Sequence, residues 1–207
     1  MPRQIVQATL DHFGDLGTPS GEDQATALWA VCSDGAGLSP IVGRAGTGKT
    51  FLMDAARLAF ETANLTLPEE RRMRVRGLAP TGIAAMELSA GAGLDAATVD
   101  RFLVDLANGT DRLEPGDVVI LDESNMLGTR KFARLFEHAN QVGAKLIAVG
   151  DDRQLQSIDY GGWFRALRLR LGASELTENR RQLDPLDQQA VELIRCRTTA
   201  WMSRGGC

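Results

Sequence analysis

The sequence predicts an α/β fold, a doubly wound parallel sheet flanked by helices, and three observations carry that expectation. Apolar runs alternate with helix-period patterns from about residue 20 onward, the order that builds βα units. One run, Pro40-Ile41-Val42, leads directly into the glycine-rich string GRAGTGKT at 43–50. Another, Val118 to Leu121, ends in Asp122-Glu123, which places carboxylates at the edge of the sheet where ligands of open α/β folds bind.

Taken in order, the first 18 residues carry a short amphipathic pattern (Ile5, Val6, Leu10, Phe13) and then glycine and proline, and read as a tail or the remnant of a preceding domain. Residues 19–195 read as one domain. Its strands are expected at Pro40-Ile41-Val42, Val75 to Ala79, Val118 to Leu121, Leu146 to Val149 and, more weakly, Glu175-Leu176-Thr177. Helices are expected over Thr50 to Ala63, striped by Leu52, Ala55, Ala56 and Ala59, and over Thr129 to Val142, striped by Phe132, Leu135, Phe136 and Ala139. Turn-rich stretches at Asp34 to Gly37, Ala90 to Asp95, Asn108 to Asp111 and Asp159 to Gly162 fall between them. Residues 196–207 read as an irregular end.

At 207 residues, 43% hydrophobic and 24% charged, the chain suits one globular domain with a sizeable core. No apolar run approaches a membrane span, and Met1-Pro2-Arg3-Gln4 lacks the layout of a signal peptide, so a soluble cytoplasmic location is expected. Cys32, Cys196 and Cys207 have neither disulfide-framework nor zinc-knuckle spacing, and His12 and His138 share no ligand spacing with them. A net charge of −4 speaks against a dedicated nucleic-acid binder. The cluster Arg71, Arg72, Arg74 and Arg76 reads better as a solvated basic strand edge than as a binding patch.

GRAGTGKT fits Gly, four residues, Gly-Lys-Ser/Thr, after a strand and before a helix, which is a phosphate-binding loop. Gly43, Gly46 and Gly48, with Ala45 and Thr47 between them, let the backbone wrap so that N–H groups point at phosphate oxygens, and the helix opening near Lys49 adds its positive dipole end. Lys49 is expected to reach the β- and γ-phosphates of ATP, and the Thr50 hydroxyl to coordinate Mg²⁺. Asp122 is placed to hold Mg²⁺ through water, and Glu123 to orient and deprotonate the attacking water. A further strand, Leu146 to Val149, ends in Gly150-Asp151-Asp152-Arg153-Gln154-Leu155, where Gln154 could touch the γ-phosphate or that water.

Together these residues resemble the first RecA-like domain of superfamily 1 helicases of the RecD-like branch, over about residues 19–195. Gly21-Glu22-Asp23-Gln24 is similar to the Q motif, whose glutamine, here Gln24, is implied to read the adenine edge. Ala79-Pro80-Thr81-Gly82-Ile83-Ala84-Ala85 is similar to motif Ia, which implies single-stranded DNA contact at Pro80, Thr81 and Gly82, and Thr98-Val99-Asp100 stands at the next DNA-contacting motif, with Thr98 as its contact. LDESNM (121–126) matches motif II and VGDDRQLQSI (149–158) motif III. Leu176 to Gln182 resembles motif IV, which implies that Arg181 reaches the γ-phosphate. The stretch from DESNMLGTRKFARL to ELTENRRQ is most similar to the helicase portion of MobF-type conjugative relaxases. Ile83 stands where a basic residue is common, Asp100 where histidine is usual, and Gln156-Ser157 where prolines often follow motif III.

The resemblance implies an ATP-driven motor moving 5′-to-3′ on single-stranded DNA. It also implies a second RecA-like domain, supplied by other sequence or another chain, which these 207 residues lack along with a relaxase domain. Weak or absent unwinding by this polypeptide alone is therefore expected. The competing expectation is an ATP-binding switch module that docks a protein partner.

Overall fold

The computed structural model describes residues 1–151, 154 and 162–178. Six strands form one sheet in the order β3-β2-β4-β5-β1-β6, and every pairing is parallel. They are β1 (Leu38–Gly43), β2 (Val75–Ala79), β3 (Asp95–Thr98), β4 (Val118–Leu121), β5 (Lys145–Gly150) and β6 (Ser174–Leu176). The helices are α1 (Arg3–Asp15), α2 (Glu22–Ser33), α3 (Lys49–Asn64), α4 (Gly82–Ala92), α5 (Val99–Asn108), α6 (Thr129–Val142) and α7 (Trp163–Leu171).

β4 is apolar and buried at every position and β5 is buried from Leu146 onward, because helices cover both faces of the sheet. Period-two geometry then sorts each strand. Val118 and Ile120 of β4, with Ile147 and Val149 of β5, pack against α1 to α4. Val119 and Leu121, with Leu146 and Ala148, face α5 to α7. Each large side chain buried this way contributes about 1.5–3 kcal/mol relative to exposure. On the second face the Trp163 ring stacks on Phe132 at 3.5 Å between centroids, and its Nε1 donates to the Leu127 carbonyl at 2.6 Å.

Two sequence expectations change here. The stretch read as a tail over residues 1–18 forms α1, whose Val6 and Phe13 are buried in the same core as Leu28 of α2 and Leu52 of α3. Its large apolar residues number only four, Ile5, Val6, Leu10 and Phe13, too few to advertise a buried element, yet Val6, Leu10 and Phe13 pack into the core. The turn-rich stretch Ala90 to Asp95 holds the turn at Gly93-Leu94 but also the end of α4 and the first residue of β3, a strand not expected from sequence; β3 carries only Ala96, Ala97 and Thr98 beyond that residue, so it offers no apolar alternation to detect.

The arginine cluster resolves into pairs. Asp117, fully buried, accepts from the Arg74 backbone N–H at 3.0 Å and from its guanidinium at 2.8 Å. Arg76 bonds Asp111 at 2.6 Å and lies over the Phe102 ring. Two of the four charges thus close the β2–β4 side of the fold.

Helices α3 and α4 are held unusually close. Gly91 of α4 leaves no room for a Cβ, which would sit 2.7 Å from Thr50 Cγ2, and Arg57 of α3 donates from Nε to the Ala92 carbonyl at 2.9 Å. A similar approach fixes Gly77 in β2, where a Cβ would meet Leu88 Cδ2 at 2.8 Å and Ala96 Cβ at 3.0 Å. Gly77→Ala is expected to destabilise the domain by about 1–3 kcal/mol through overpacking, read as a lower urea midpoint with an unchanged m-value; a midpoint within error of wild type would refute the tightness of that contact.

Candidate nucleotide site

The carboxyl ends of β1, β4 and β5 lie side by side, and the loops leaving them enclose a cavity of about 440 Å³ lined by Arg44 to Gly46, Gly48, Lys49, Thr50, Glu87, Leu88, Asp122, Glu123 and Gln154. A larger cavity of about 530 Å³ lies at the opposite edge of the sheet, but its walls are mainly apolar and it carries no glycine loop opening a helix, so size does not mark the site.

The phosphate loop forms where the sequence places it. Gly46 and Gly48 adopt positive φ (86° and 80°), which a side chain would resist. At Gly43 a Cβ would lie 2.7 Å from Thr47 Oγ1, so the strand can end against the returning loop only without one. Thr47 Oγ1 donates to the Arg44 carbonyl at 2.8 Å and closes the loop on itself. Lys49 Nζ donates to the Gly43 carbonyl at 3.0 Å. Thr50 follows in the first turn of α3, with its hydroxyl at the positive end of a 16-residue helix.

Opposite stand the two carboxylates. The Asp122 N–H donates to the Leu78 carbonyl at 2.9 Å, and Asp122 Oδ1 accepts from the Glu123 N–H at 2.8 Å. Glu123 has φ 45° and ψ 41°, the left-handed region, where a non-glycine residue is strained by about 1–2 kcal/mol. That turn aims its carboxylate into the cavity wall, and its Oε2 is buried without a hydrogen-bond partner. Burial pushes both carboxyls up from their ordinary range; the Asp122 charge raises Glu123 further, Glu87 raises both, and Lys49 opposes the rise. A glycine-wrapped loop with a helix dipole, a lysine and an orphaned carboxylate oxygen facing it fits a magnesium-bound nucleotide triphosphate: Thr50 and Asp122 would hold the ion.

Gln154 lines the cavity and its N–H donates to the Asp151 carbonyl at 3.3 Å. Asn125 Oδ1 accepts from the Asp151 N–H at 3.3 Å, so the loops after β4 and β5 are tied together. Arg181 lies outside the described residues, as do Gln156 and Ser157. Gln24 is 1% exposed, is not part of the cavity wall, and directs its amide into the protein.

The residues expected at DNA form a second cluster beside the first. Thr81 and Thr98 cap α4 and α5, accepting at 3.2 Å from the Ala84 and Arg101 N–H groups, and Ala79 pairs with Thr98 across β2 and β3. Pro80 and Gly82 flank the first cap, with Gly82 exposed. Asp100 is bonded to Lys131 at 2.8 Å, which offsets its negative charge beside this edge. Among the described residues no cluster of three or more His, Cys, Asp or Glu could hold a metal ion, and the Cys32 thiol is pushed by burial up to about 12. Sequence reasoning missed Glu87. Its signal was the spacing to Gly91, four residues on, which places both on the face of α4 turned to Thr50.

A parallel sheet whose first strand ends in a glycine loop and helix, with a second strand delivering an acidic pair, defines a P-loop nucleotide-binding domain. A protein-family profile described as "AAA domain" matches residues 20–204, and the chain belongs to that family. It is 37% identical over 180 residues to the probable conjugal transfer protein TraA of Sinorhizobium fredii, covering 87% of this chain and 15% of the relative. It is 35% identical to the multifunctional conjugation protein TraI of Escherichia coli (84% and 10% covered) and 33% identical to the ATP-dependent RecD2 DNA helicase of Deinococcus radiodurans (87% and 24%). The chain therefore spans a small part of each of these relatives. Among solved structures the Pif1 helicase of Candida albicans superposes with a TM-score of 0.58 at 20% identity, covering 85% of this chain and 43% of that one, which supports the fold.

Because burial raises the Glu123 pKa in the folded state, the native protein holds that proton more tightly than the unfolded chain, and stability falls as pH rises between the ordinary and the raised value. Glu123→Gln removes the charge and is expected to raise the Tm at neutral pH by on the order of 2 °C, the gap closing as pH drops below the ordinary carboxylate range. Equal Tm values at pH 7 would contradict this account.

Proposed function

We propose that this chain binds and hydrolyses Mg-ATP as the first motor domain of a helicase that moves 5′-to-3′ on single-stranded DNA, of the conjugative relaxase-helicase kind. The observation that carries the reading is one sheet edge holding a phosphate loop, an acidic pair and Gln154 around one cavity, beside two threonine-capped helix N-termini on the adjoining strands β2 and β3. The relatives named for conjugal transfer and for ATP-dependent DNA unwinding support it.

In this reading Lys49 exchanges the Gly43 carbonyl for the β- and γ-phosphates, leaving a loop already shaped for them. Thr50 and Asp122 would hold a magnesium ion, which when bound would supply charge neutralisation for the transferred phosphoryl group. Glu123, its basicity raised by burial and by Asp122, accepts the proton of the attacking water at the unpartnered Oε2. Gln154 stands where it can report an intact γ-phosphate to the loop after β5. Arg181 is assigned to the same phosphate from its place in the sequence. Thr81, Pro80, Gly82 and Thr98 are assigned to the DNA backbone, which helix N-termini and hydroxyls bind without reading sequence. A second RecA-like domain completes the motor in this reading, and cytoplasmic ATP supplies it.

The test is steady-state ATPase activity with and without single-stranded DNA. Stimulation by DNA is expected, with Lys49→Ala and Glu123→Gln each lowering turnover by about 100-fold or more, and with Glu123→Gln still binding ATP. Turnover indifferent to DNA would count against coupling within this domain and favour a half-motor disabled without its second domain or a nucleotide-dependent docking module.

A further inference from the structure

Gln24 sits at the place where the helicase resemblance implies a reader of the adenine edge, yet its side chain is committed elsewhere. Its Oε1 accepts from the Gly21 N–H at 3.1 Å, and its Nε2 donates to the carbonyls of Thr47 at 3.3 Å and Gly48 at 3.2 Å. The orientation of the amide is fixed by these partners. A flip would set an NH₂ against an N–H and an oxygen against two carbonyls.

The consequence lies on the other side of those carbonyls. In a trans peptide the C=O and the following N–H point in opposite directions. Drawing the carbonyls of Thr47 and Gly48 back toward α2 therefore turns the N–H groups of Gly48 and Lys49 outward, and Gly48 and Lys49 both line the nucleotide cavity. The Gly48 carbonyl also accepts from the Leu52 N–H at 3.1 Å, so it is held from the helix and from Gln24 at once. Asp23 extends the brace. Its Oδ1 accepts from the Gln24 N–H at 2.8 Å, and its Oδ2 accepts from the N–H groups of Thr177 at 2.7 Å and Glu178 at 3.0 Å, where the chain leaves β6.

We infer that Gln24 is a positioning residue for the triphosphate, holding two phosphate-facing N–H groups in place from behind the loop, and that it does not select the base. The inference rests on the P-loop being the nucleotide site. Its distinguishing property is indifference to the nucleobase: whatever Gln24 contributes, it contributes equally to ATP, to GTP and to a triphosphate with no base at all.

Calorimetric titration of the 207-residue chain with Mg-ATP, Mg-GTP and magnesium tripolyphosphate separates the possibilities. Gln24→Ala is expected to weaken all three by a common factor of about tenfold, the worth of losing hydrogen bonds to one buried and one partly buried carbonyl, with the ATP-to-GTP ratio kept within about twofold. Gln24→Glu retains the acceptor for Gly21 but turns an oxygen on the two carbonyls, and is expected to weaken all three at least as much. In ¹⁵N-resolved spectra the Gly48 and Lys49 amides are expected to shift on adding tripolyphosphate to wild type and to lose that response in both variants at temperatures where each is folded, which a general loss of stability would not produce. Weakened ATP binding with tripolyphosphate unchanged would overturn the inference in favour of base reading, and so would three unchanged affinities. Wild-type protein that binds neither nucleotide nor tripolyphosphate would instead overturn the nucleotide site itself.

Discussion

The missing Cβ at Gly43 is the constraint on which the site depends. The strand ends there against three neighbours at once: Thr47 Oγ1, Lys49 Cγ and Leu176 Cβ would lie 2.7, 3.1 and 3.2 Å from any side chain at that position. The first two belong to the returning loop and the third to β6. One absent methyl group thus lets the loop fold back, lets the lysine stem lie along it, and lets the last strand complete the sheet. Larger residues would separate all three, and α3 would no longer start where its N–H groups converge on the cavity.

Around that fixed loop the domain accepts local disadvantage. Asp122 and Glu123 are drawn out of water next to each other, with Glu87 near both, and Glu123 also occupies a left-handed backbone conformation. None of this favours folding. The two faces of the sheet supply the compensation, since the central strands are apolar on both sides and the helices on each face bury complementary stripes. The left-handed backbone of Glu123 and its unpartnered Oε2 fall at the same sheet edge as the phosphate loop.

The sequence made the central strands, α3 and α6 legible to within a few residues, because each has a long apolar pattern and β1 and β4 are labelled by the motifs that follow them. The acidic pair and the loop glycines were legible for the same reason: their residue types have few other uses at such positions. β3 was not, being short and built of alanine at the sheet edge, and α1 was not, since its burial is decided by the groove it enters. Gln24 was singled out as a reader of the adenine edge, but the direction of its amide could not be read from the sequence. A glutamine three residues into a helix can face a ligand or its own N-cap, and only the tertiary approach of α2 to the loop decides between them. Glu87 escaped because its relevance comes from α4 lying against α3, a contact signalled only by Gly91.

That contact has a mechanical consequence. With Gly91 pressed on Thr50 and Arg57 gripping the Ala92 carbonyl, α3 and α4 cannot slide or tilt independently without breaking a partly buried hydrogen bond or disturbing that close contact. The two helices make a single stiff lever. One arm begins at Lys49, at the end of the glycine loop; the other begins at Gly82, just past β2, with β5 and β4 lying between the two parent strands in the sheet. A displacement at the first arm is carried to the second through that packed contact, so the two helix starts are mechanically coupled within this one domain.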